Sequence, residues 1–283
     1  HFDNGWNSEL AVQNIENIVK KLTIDLHTYV MDWEEFRDLQ LSFLNASTRD
    51  SEIPSDHGIA AILLRMAAKE KVGFIIDGRN HATEGVLPVS YSYGCADWRY
   101  IKGVHKKYGT QKLKTFPHYS LTDRLYNIFV RRLRVIGILN YLEYDKQSAI
   151  KTIERKLGWR NYGGKHYESI YTRFYQGYIL PEKFGIDKRR AHHSALICSG
   201  QMTREAALEQ LTKSPYPSQE QLKEDKEFVI KKFGLTEAEF EKILKLPART
   251  FKDFPTYYPF LHKTRWLVQL AKKWGLLPKR VAI

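Results

Sequence analysis

Two short segments of the sequence concentrate the residues that could do chemistry. Residues 159–168 read WRNYGGKHYE, and residues 187–194 read DKRRAHHS. Cations, imidazoles and carboxylates this close together are costly to bury without partners, so the segments cannot form a hydrophobic core. A basic cluster is most often a solvated face, but this mixture of chemically distinct groups favours a binding site. The candidate catalytic residues, expected to converge on an anionic ligand, are Lys165, His166, Glu168, Arg189 and Arg190.

These residue types suit the handling of phosphate groups and protons. Arg grips a phosphate with two donors, whereas Lys acts as a point charge. His166 could move a proton near neutral pH. His192 and His193 are adjacent, so on a helix they diverge by about 100° and cannot both face one metal. We therefore predict no metal site built from protein ligands alone.

A second polar group follows a predicted strand. Residues 72–77 form a short apolar run, which predicts a strand buried on both faces of a parallel sheet, and DGRNHATEG follows at residues 77–85. Ligands bind beyond the carboxyl ends of strands in open α/β sheets, and Asp3 and Asn4 follow the end of another predicted strand. The alternative interpretation of residues 77–85 is an Asx-type turn with solvated polar tips.

Hydrophobic periodicity and capping residues predict the elements that hold these groups. Helices at about 8–22, 32–45 and 55–71 alternate with β-rich segments at 23–30 and 72–77, which indicates a doubly wound α/β layer. From Asp97 onward helices dominate, and a stripe of aromatic residues (Tyr171, Phe174, Tyr175, Tyr178) is expected in the core. The predicted helices of this part cover about 97–108, 121–143, 146–157, 166–179, 187–198, 203–212, 218–233, 236–245 and 263–274. Gly158 is expected to end one of them, Thr236 with Glu239 to form a capping box, and Gly275 to follow the last.

Composition narrows the class of protein. The formal charge of +13 requires an anionic partner, such as nucleic acid, a membrane surface or a phosphorylated substrate. Cys95 and Cys198 are the two cysteines, which argues for a reducing compartment and against a disulfide framework or a self-contained zinc site. Neither a signal peptide nor a run of about 18 apolar residues is present, so we expect a cytoplasmic protein without a membrane span. Motifs for a Rossmann loop, a Walker A loop, a nucleophile elbow and a zinc protease are absent.

The segments HFDNGWN, PSDHGIAAILLRMAAKEKVGFIIDGRNHATEG, WRNYGGKHYESIYTRFYQGYILPEKFG and DKRRAHHSALICSGQMTREAAL together resemble one family. They are similar to the N-acetyl sugar amidotransferases of bacterial surface-polysaccharide (lipopolysaccharide O-antigen) biosynthesis, which are PP-loop ATP pyrophosphatases. The resemblance spans roughly residues 1–280 and is most specific over 159–206. It implies an α/β fold, with the C-terminal portion of a parallel-sheet PP-loop (adenine nucleotide alpha hydrolase-like) domain at 1–96 and a mainly helical substrate- and partner-binding region at 97–283.

The resemblance also implies an activity. The family converts a sugar acetamido group to an acetamidino group: ATP with Mg²⁺ adenylates the amide oxygen, and ammonia then displaces AMP. Its implied partners are a nucleotide-linked N-acetyl sugar, a separate glutaminase and a synthase-like subunit that channels ammonia. The family's SGGxDS loop and N-terminal cysteine pairs are absent from this sequence and would lie upstream of His1. The residues expected to bind ATP are Asp3, Asn4, Asp77, Gly78 and Asn80, and those expected to bind the sugar substrate are His81, Glu84, Lys183, Asp187 and His192.

Two other interpretations of the sequence stay open. The charge and the interleaved Lys and aromatic residues also suit a PP-loop enzyme that modifies tRNA, or a non-catalytic basic module that binds RNA or anionic glycans. Between these classes of partner we favour the nucleotide-linked sugar over nucleic acid.

Overall fold

The computed structural model describes residues 1–88 and 90–274. Strands and helices alternate in the N-terminal part, and longer helices fill the rest. The first elements are β1 (Phe2–Asp3), α1 (Glu9–Leu22), β2 (Tyr29–Val30), α2 (Trp33–Ala46), α3 (Ile53–Lys69), β3 (Phe74–Asp77), α4 (His81–Glu84), α5 (Trp98–Tyr108), α6 (Leu121–Phe129) and β4 (Arg134–Gly137). After a short 3₁₀ turn, the chain continues with α7 (Lys146–Leu157), α8 (Ile170–Phe174), α9 (Leu180–Phe184), α10 (Arg189–Cys198), α11 (Arg204–Thr212), α12 (Gln219–Phe233), α13 (Glu237–Lys245), α14 (Tyr258–Lys263) and α15 (Arg265–Lys273).

The protein is therefore a mixed α/β fold that is mostly helical with two small parallel sheets. In one sheet β1 pairs with β2, and Phe2 lies opposite Tyr29. In the other, β3 pairs with β4 along all four residues, from Phe74 opposite Arg134 to Asp77 opposite Gly137. Helix α3 packs against both β1 and β3. Gly58 permits its close approach to β1, because a Cβ there would lie 2.6 Å from the Phe2 ring.

The helix boundaries follow local capping, as the sequence predicts. Ser8 and Asp32 accept hydrogen bonds from the first turns of α1 and α2. The predicted capping box of Thr236 with Glu239 is confirmed at α13. Gly158, with φ of 66°, ends α7 in the left-handed conformation that the sequence assigns to it.

The prediction of a strand buried on both faces is wrong for β3. Alternate side chains of a strand point to opposite faces, and Phe74 and Ile76, which share one face, are 58% and 74% exposed. Helix α3 packs against β3, and the face with Phe74 and Ile76 is open to solvent. Continuous hydrophobicity identified the strand correctly but not the number of covered faces.

Two predicted elements are shorter in the structure. The helix predicted at 121–143 ends at Phe129, and Arg132 adopts a left-handed φ of 52° that turns the chain into β4. A strand thus lies where only helices were expected, because Val135 and Ile136 pair with β3. The β-rich segment predicted at 23–30 forms strand only at Tyr29–Val30.

The helix predicted at 166–179 begins later and ends later. Ser169 caps it by accepting a hydrogen bond from the Thr172 amide, and the helical path continues through a π turn at Tyr175–Ile179 into α9. The C-terminal helix predicted at 263–274 is confirmed as α15 (Arg265–Lys273), and the short α14 before it was not predicted. The predicted stop at Gly275 lies outside the described residues.

An aromatic core holds α8 against the rest of the fold. Tyr171, Phe174 and Tyr175 are buried, which confirms the predicted core stripe, and Tyr178 packs against its edge. The Tyr171 ring lies 5.1 Å from the ring of Trp6, whose indole nitrogen donates to Gln40 at 2.6 Å. These contacts fix the N-terminal loop and α8 side by side, beside the polar turn that precedes α8.

Candidate functional site

The polar turn at Lys165–Glu168 lies between the N-terminal loop and α8. The Ser8 amide donates to the Glu168 carbonyl, and the Ile170 amide donates to the Trp6 carbonyl, each at 2.9 Å. Two backbone hydrogen bonds on either side of Ser169 therefore fix the end of this turn. The turn therefore rests against the buried aromatic core that includes Trp6 and Tyr171.

His166 in this turn adopts a left-handed backbone with φ of 65°. Such a conformation is unfavourable for a residue with a Cβ atom, and it clusters at functional positions. In the described part of the chain, the other non-glycine residues with positive φ follow the ends of helices, where this conformation is common. They are Thr23, Ser47, Lys71 and Arg132.

The structure brings together three polar segments that are distant in sequence. Lys165 Nζ forms an ion pair with Glu84 Oε1 at 2.9 Å, which joins the turn to α4. His166 Nδ1 lies 3.5 Å from Glu168 Oε1, and the His166 ring lies 6.4 Å from the ring of His192 on α10. Helix α4 also packs on α10. Five residues selected from the sequence thus lie in one region: Glu84, Lys165, His166, Glu168 and His192.

Three carboxylates at the start of α3 face the same region. The Asp50 carboxylate accepts a hydrogen bond from the Glu52 amide at 3.1 Å. Glu52 accepts hydrogen bonds from Thr172 and from Gln176, the latter at 3.1 Å, so it is tied to the α8 helical path. The sequence analysis missed Asp50, Glu52 and Asp56, although three carboxylates within seven residues at a helix start were visible.

The environment raises the pKa of two of these carboxyl groups. Burial raises the pKa of Asp50. Asp56 is exposed near the start of α3, with Asp50 and Glu52 close to it. Desolvation there, together with the charges of Asp50 and Glu52, raises the pKa of Asp56 to about 7, although Lys188 and His166 act in the opposite direction. Asp56 therefore titrates near neutral pH.

Cations in the same region act on the pKa values of His192 and Glu168. Burial, followed by the charges of Lys165, His166 and Lys188, lowers the pKa of His192 to about 3, so its imidazole is neutral at physiological pH. For Glu168, burial works to raise the pKa, but the hydrogen bond and the charge of His166 hold the pKa below its usual value. We call this region the charged recess; it comprises Asp50, Glu52, Asp56, Glu84, Lys165, His166, Glu168, Lys188 and His192.

Other predicted site residues have structural partners. Arg189 pairs with Asp187 at 2.7 Å and donates to the carbonyls of Gln210, Lys213 and Ser214, which secures the end of α11. The neighbouring Arg190 is exposed.

Lys183 is likewise engaged outside the charged recess. Its ammonium group donates to the carbonyls of Ile243, Leu244 and Leu246, each at 2.8 Å, and caps the C-terminal end of α13.

The residues predicted to bind ATP make local contacts. The Asp77 carboxylate accepts the Arg79 amide at 2.9 Å, and Asn80 Oδ1 accepts the Thr83 amide at 2.9 Å and thereby caps α4. Gly78 separates these two side chains and has no atom within 4 Å of its Cβ position. These are the Asx-type contacts of the alternative interpretation.

The remaining predicted residues of these loops are placed similarly. The His81 side chain is exposed, and its amide donates to Asn140 Oδ1 at 2.8 Å. Asp3 accepts the Gly5 amide at 2.9 Å. Asn4 donates to Ser55 Oγ at 3.1 Å, next to the carboxylates of α3, so the N-terminal loop borders the charged recess.

The cysteines differ in environment. Burial raises the pKa of the half-buried Cys95 to about 12, so its thiol is not activated. Cys198 is exposed and is the last residue of α10. Within residues 1–88 and 90–274, no three His, Cys, Asp or Glu side chains are arranged to hold a metal ion. None of the helices described in this structure is both long and apolar enough to cross a membrane.

Residues 168–267 match a family model described as LPS biosynthesis protein WbpG-like, C-terminal domain. The match begins at Glu168, in the polar turn, and includes Lys188 and His192 of the charged recess. No curated protein and no solved structure matches the chain. The matched segment indicates a role in lipopolysaccharide biosynthesis.

Proposed function

We propose that this chain is the ATP-dependent amidotransferase of a lipopolysaccharide-biosynthesis pathway and converts the acetamido group of a nucleotide-linked sugar to an acetamidino group with ammonia. The observation that carries this proposal is the charged recess. It brings ammonium groups, a neutral imidazole and a carboxyl group with a pKa of about 7 close enough to act on one another. A reaction that releases an anionic leaving group and a proton needs this combination.

The cationic side of the recess suits phosphate. Lys165 and Lys188 would attract the phosphates of ATP and of the nucleotide-linked sugar, and Glu84 holds Lys165 in place through their 2.9 Å ion pair. An amide carbon is a poor electrophile, and bound ATP supplies the activation by transferring its adenylyl group to the amide oxygen. The role of the lysines is to stabilise the charge of the departing pyrophosphate.

The acidic side suits the nitrogen nucleophile. When ammonia attacks, a carbon–nitrogen bond forms, the bond from carbon to the AMP oxygen breaks, and the nitrogen must lose a proton. Asp56 is the candidate acceptor, because a carboxyl group with a pKa of about 7 can take up that proton near neutral pH. The neutral His192 would orient the amide, and its lowered pKa keeps it from competing for the phosphates as a cation.

The residues of the recess also fit Mg²⁺ bound together with nucleotide phosphates. Mg²⁺ in such sites keeps several waters and takes one or two protein carboxylates. Glu52 and Asp50 would supply them, since their carboxylates lie on the same wall as Asp56. This arrangement does not need a group of three protein ligands.

The two sheets support assignment to a PP-loop layer. Both are parallel, and α3 packs against both. The open face of Phe74 and Ile76 suits a wider layered sheet, because parallel sheets are normally covered on both faces. We propose residues 1–96 as the ATP-binding layer and 97–283 as the region for substrate and partners, with β4 belonging to the layer since it pairs with β3.

The test is AMP and pyrophosphate release by the purified chain with ATP, Mg²⁺, an ammonium salt and a UDP-linked N-acetyl sugar. We expect release that requires the sugar and ammonium, with mass spectrometry showing one sugar oxygen replaced by NH. Lys165→Gln should lower the rate about a hundredfold, whereas the matched change of an exposed lysine on α7, Lys151→Gln, should not.

Other outcomes would favour the alternatives. AMP release that requires RNA and ignores the sugar would indicate a tRNA-modifying enzyme. RNA or glycan binding with a steep dependence on salt, without any ATP turnover, would indicate a basic binding module.

A further inference from the structure

The C-terminal helix α15 carries an apolar surface that the proposed reaction does not use. Trp266 is 57% exposed and Trp274, directly after the helix, is 69% exposed. Leu267 is exposed as well. Large apolar side chains grouped on one surface mark an interaction site more often than chance exposure.

The spacing of these residues puts them on one face. Trp266, Leu270 and Trp274 follow at intervals of four, and Leu267 lies beside them. Arg265 and Lys273, both exposed, occupy the adjoining face of the same helix. We call the surface formed by Trp266, Leu267, Leu270 and Trp274 the α15 apolar face.

The charged side chains in the sequence segment that contains this face are all basic. Residues 254–283 contain no Asp or Glu. The same segment carries basic residues at Lys263, Arg265, Lys272, Lys273, Lys279 and Arg280. A helix with Trp and Leu on one face and basic residues on the adjoining face, in a segment without acidic residues, is complementary to an anionic lipid surface.

We infer that α15 binds peripherally to an anionic membrane, with its apolar face in the headgroup region and its basic residues at the lipid phosphates. The tryptophans suit this depth, because an indole ring combines an apolar body with a polar N–H group. The helix would lie along the surface and would not cross the bilayer.

The body of the protein fixes the position of this helix through α14. The Tyr258 ring lies 5.1 Å from the ring of Phe251 and 6.4 Å from that of Tyr93. The short α14 therefore connects α15 to the folded core. Lys273 and Trp274 lie beyond the segment that matches the lipopolysaccharide-biosynthesis family, so the inference depends on this chain's own residues.

The experiment is co-sedimentation of the purified full chain with vesicles of phosphatidylcholine alone and with vesicles that also contain phosphatidylglycerol. We expect binding to the phosphatidylglycerol vesicles, weakened by salt, and a shift of tryptophan emission to shorter wavelength. Leu267→Glu with Trp274→Glu should abolish both signals, and since both side chains are exposed the fold should persist. Arg265→Gln with Lys273→Gln should weaken binding about tenfold.

A matched control separates this helix from the net charge of the protein. Arg155→Gln with Lys156→Gln removes two exposed basic residues from α7 and should leave vesicle binding unchanged. Equal loss in this control would show non-specific attraction and overturn the inference. Absence of binding to both vesicle types would also overturn it, as would a dimer in solution that the Leu267→Glu and Trp274→Glu changes dissociate.

Discussion

At the scale of single residues, the charged recess shifts the pKa values of two groups in opposite directions. The pKa of Asp56 rises to about 7 because desolvation and neighbouring carboxylates disfavour its anion. The pKa of His192 falls to about 3 because burial and neighbouring cations disfavour its imidazolium. When the environment pushes the pKa values of two neighbouring groups apart, those groups are candidates for the acid and the base of an active site. Asp56 and His192 would both be uncharged just below pH 7.

The shifted pKa of Asp56 predicts a dependence of stability on pH. The folded protein holds this proton up to about pH 7, whereas the unfolded chain releases it near the ordinary value of 3.8. The free energy of unfolding should therefore fall as pH rises from about 4 to 7. Asp56→Asn removes this titration, so near pH 8 the variant should be more stable than the parent by on the order of 1 kcal/mol, since surface exposure limits the effect.

Urea unfolding at several pH values measures this difference. Below about pH 3 the Asp56→Asn variant and the parent should have the same stability, because Asp56 is then protonated in both the folded and the unfolded parent. Parallel stability curves across the whole range would show that Asp56 does not titrate near neutral pH. The same variant should lose the sugar-dependent release of AMP at every pH.

Sequence alone identified about half of the recess. Lys165, His166, Glu168 and His192 lie in two dense polar segments and could be selected by composition. Asp50, Glu52 and Asp56 could not, because Lys188, whose charge acts on Asp56, lies more than a hundred residues away in the sequence. Arg189 stays a predicted site residue, and its carbonyl partners at 210–214 were not visible in the sequence.

At the scale of elements, the reliability of the sequence prediction depends on how local the determining contact is. Caps such as Ser8 and Thr236 act within one turn, and the helices that they begin were predicted correctly. Strand β4 is defined by hydrogen bonds to β3, about sixty residues earlier, so the helical pattern before it was extended too far. The exposure of β3 depends on which elements cover it, and a periodicity argument cannot supply that information.

Asn80 shows how an element constrains a candidate ligand. Its buried side chain caps α4 through the Thr83 amide, so replacing it should cost stability whether or not it binds ATP. We predict that Asn80→Ala lowers the free energy of unfolding by about 1 kcal/mol. Asn80→Asp keeps the capping oxygen and should retain most of the stability.

Urea unfolding of both variants, followed by AMP release, separates the cap from a ligand role. If Asn80 only caps α4, the Asp variant should also retain turnover. Parental stability in Asn80→Ala would contradict the capping role. Loss of turnover in a fully folded Asn80→Asp would instead assign the amide group to ATP.

At the scale of the whole molecule, the chemistry of the two thiols bears on the source of the nitrogen. Glutamine hydrolysis normally requires an activated thiolate. Burial raises the pKa of Cys95 to about 12, which opposes formation of a thiolate. Cys198 is exposed at the end of α10. Under the proposed function, glutamine hydrolysis would fall to a separate glutaminase and ammonia delivery to a synthase-like subunit.

We therefore predict that the purified chain uses ammonium salts and does not use glutamine until those partners are added. Replacing both cysteines, Cys95→Ala with Cys198→Ala, should leave ammonium-dependent turnover within about twofold of the parent, since neither thiol takes part in the proposed chemistry. Steady-state AMP release with each nitrogen source is the measurement. The rate with ammonium should rise with pH, because only unprotonated ammonia has the lone pair that attacks carbon.

The cysteine variant also decides how a contrary result is interpreted. Efficient glutamine-dependent turnover by the chain alone that disappears in Cys95→Ala with Cys198→Ala would mean that the chain contains its own glutaminase. The same turnover retained in that variant would mean that nitrogen is released by another group and that its source has been misassigned. Either result would leave the vesicle-binding test of α15 unaffected, because that test measures lipid binding and does not depend on turnover.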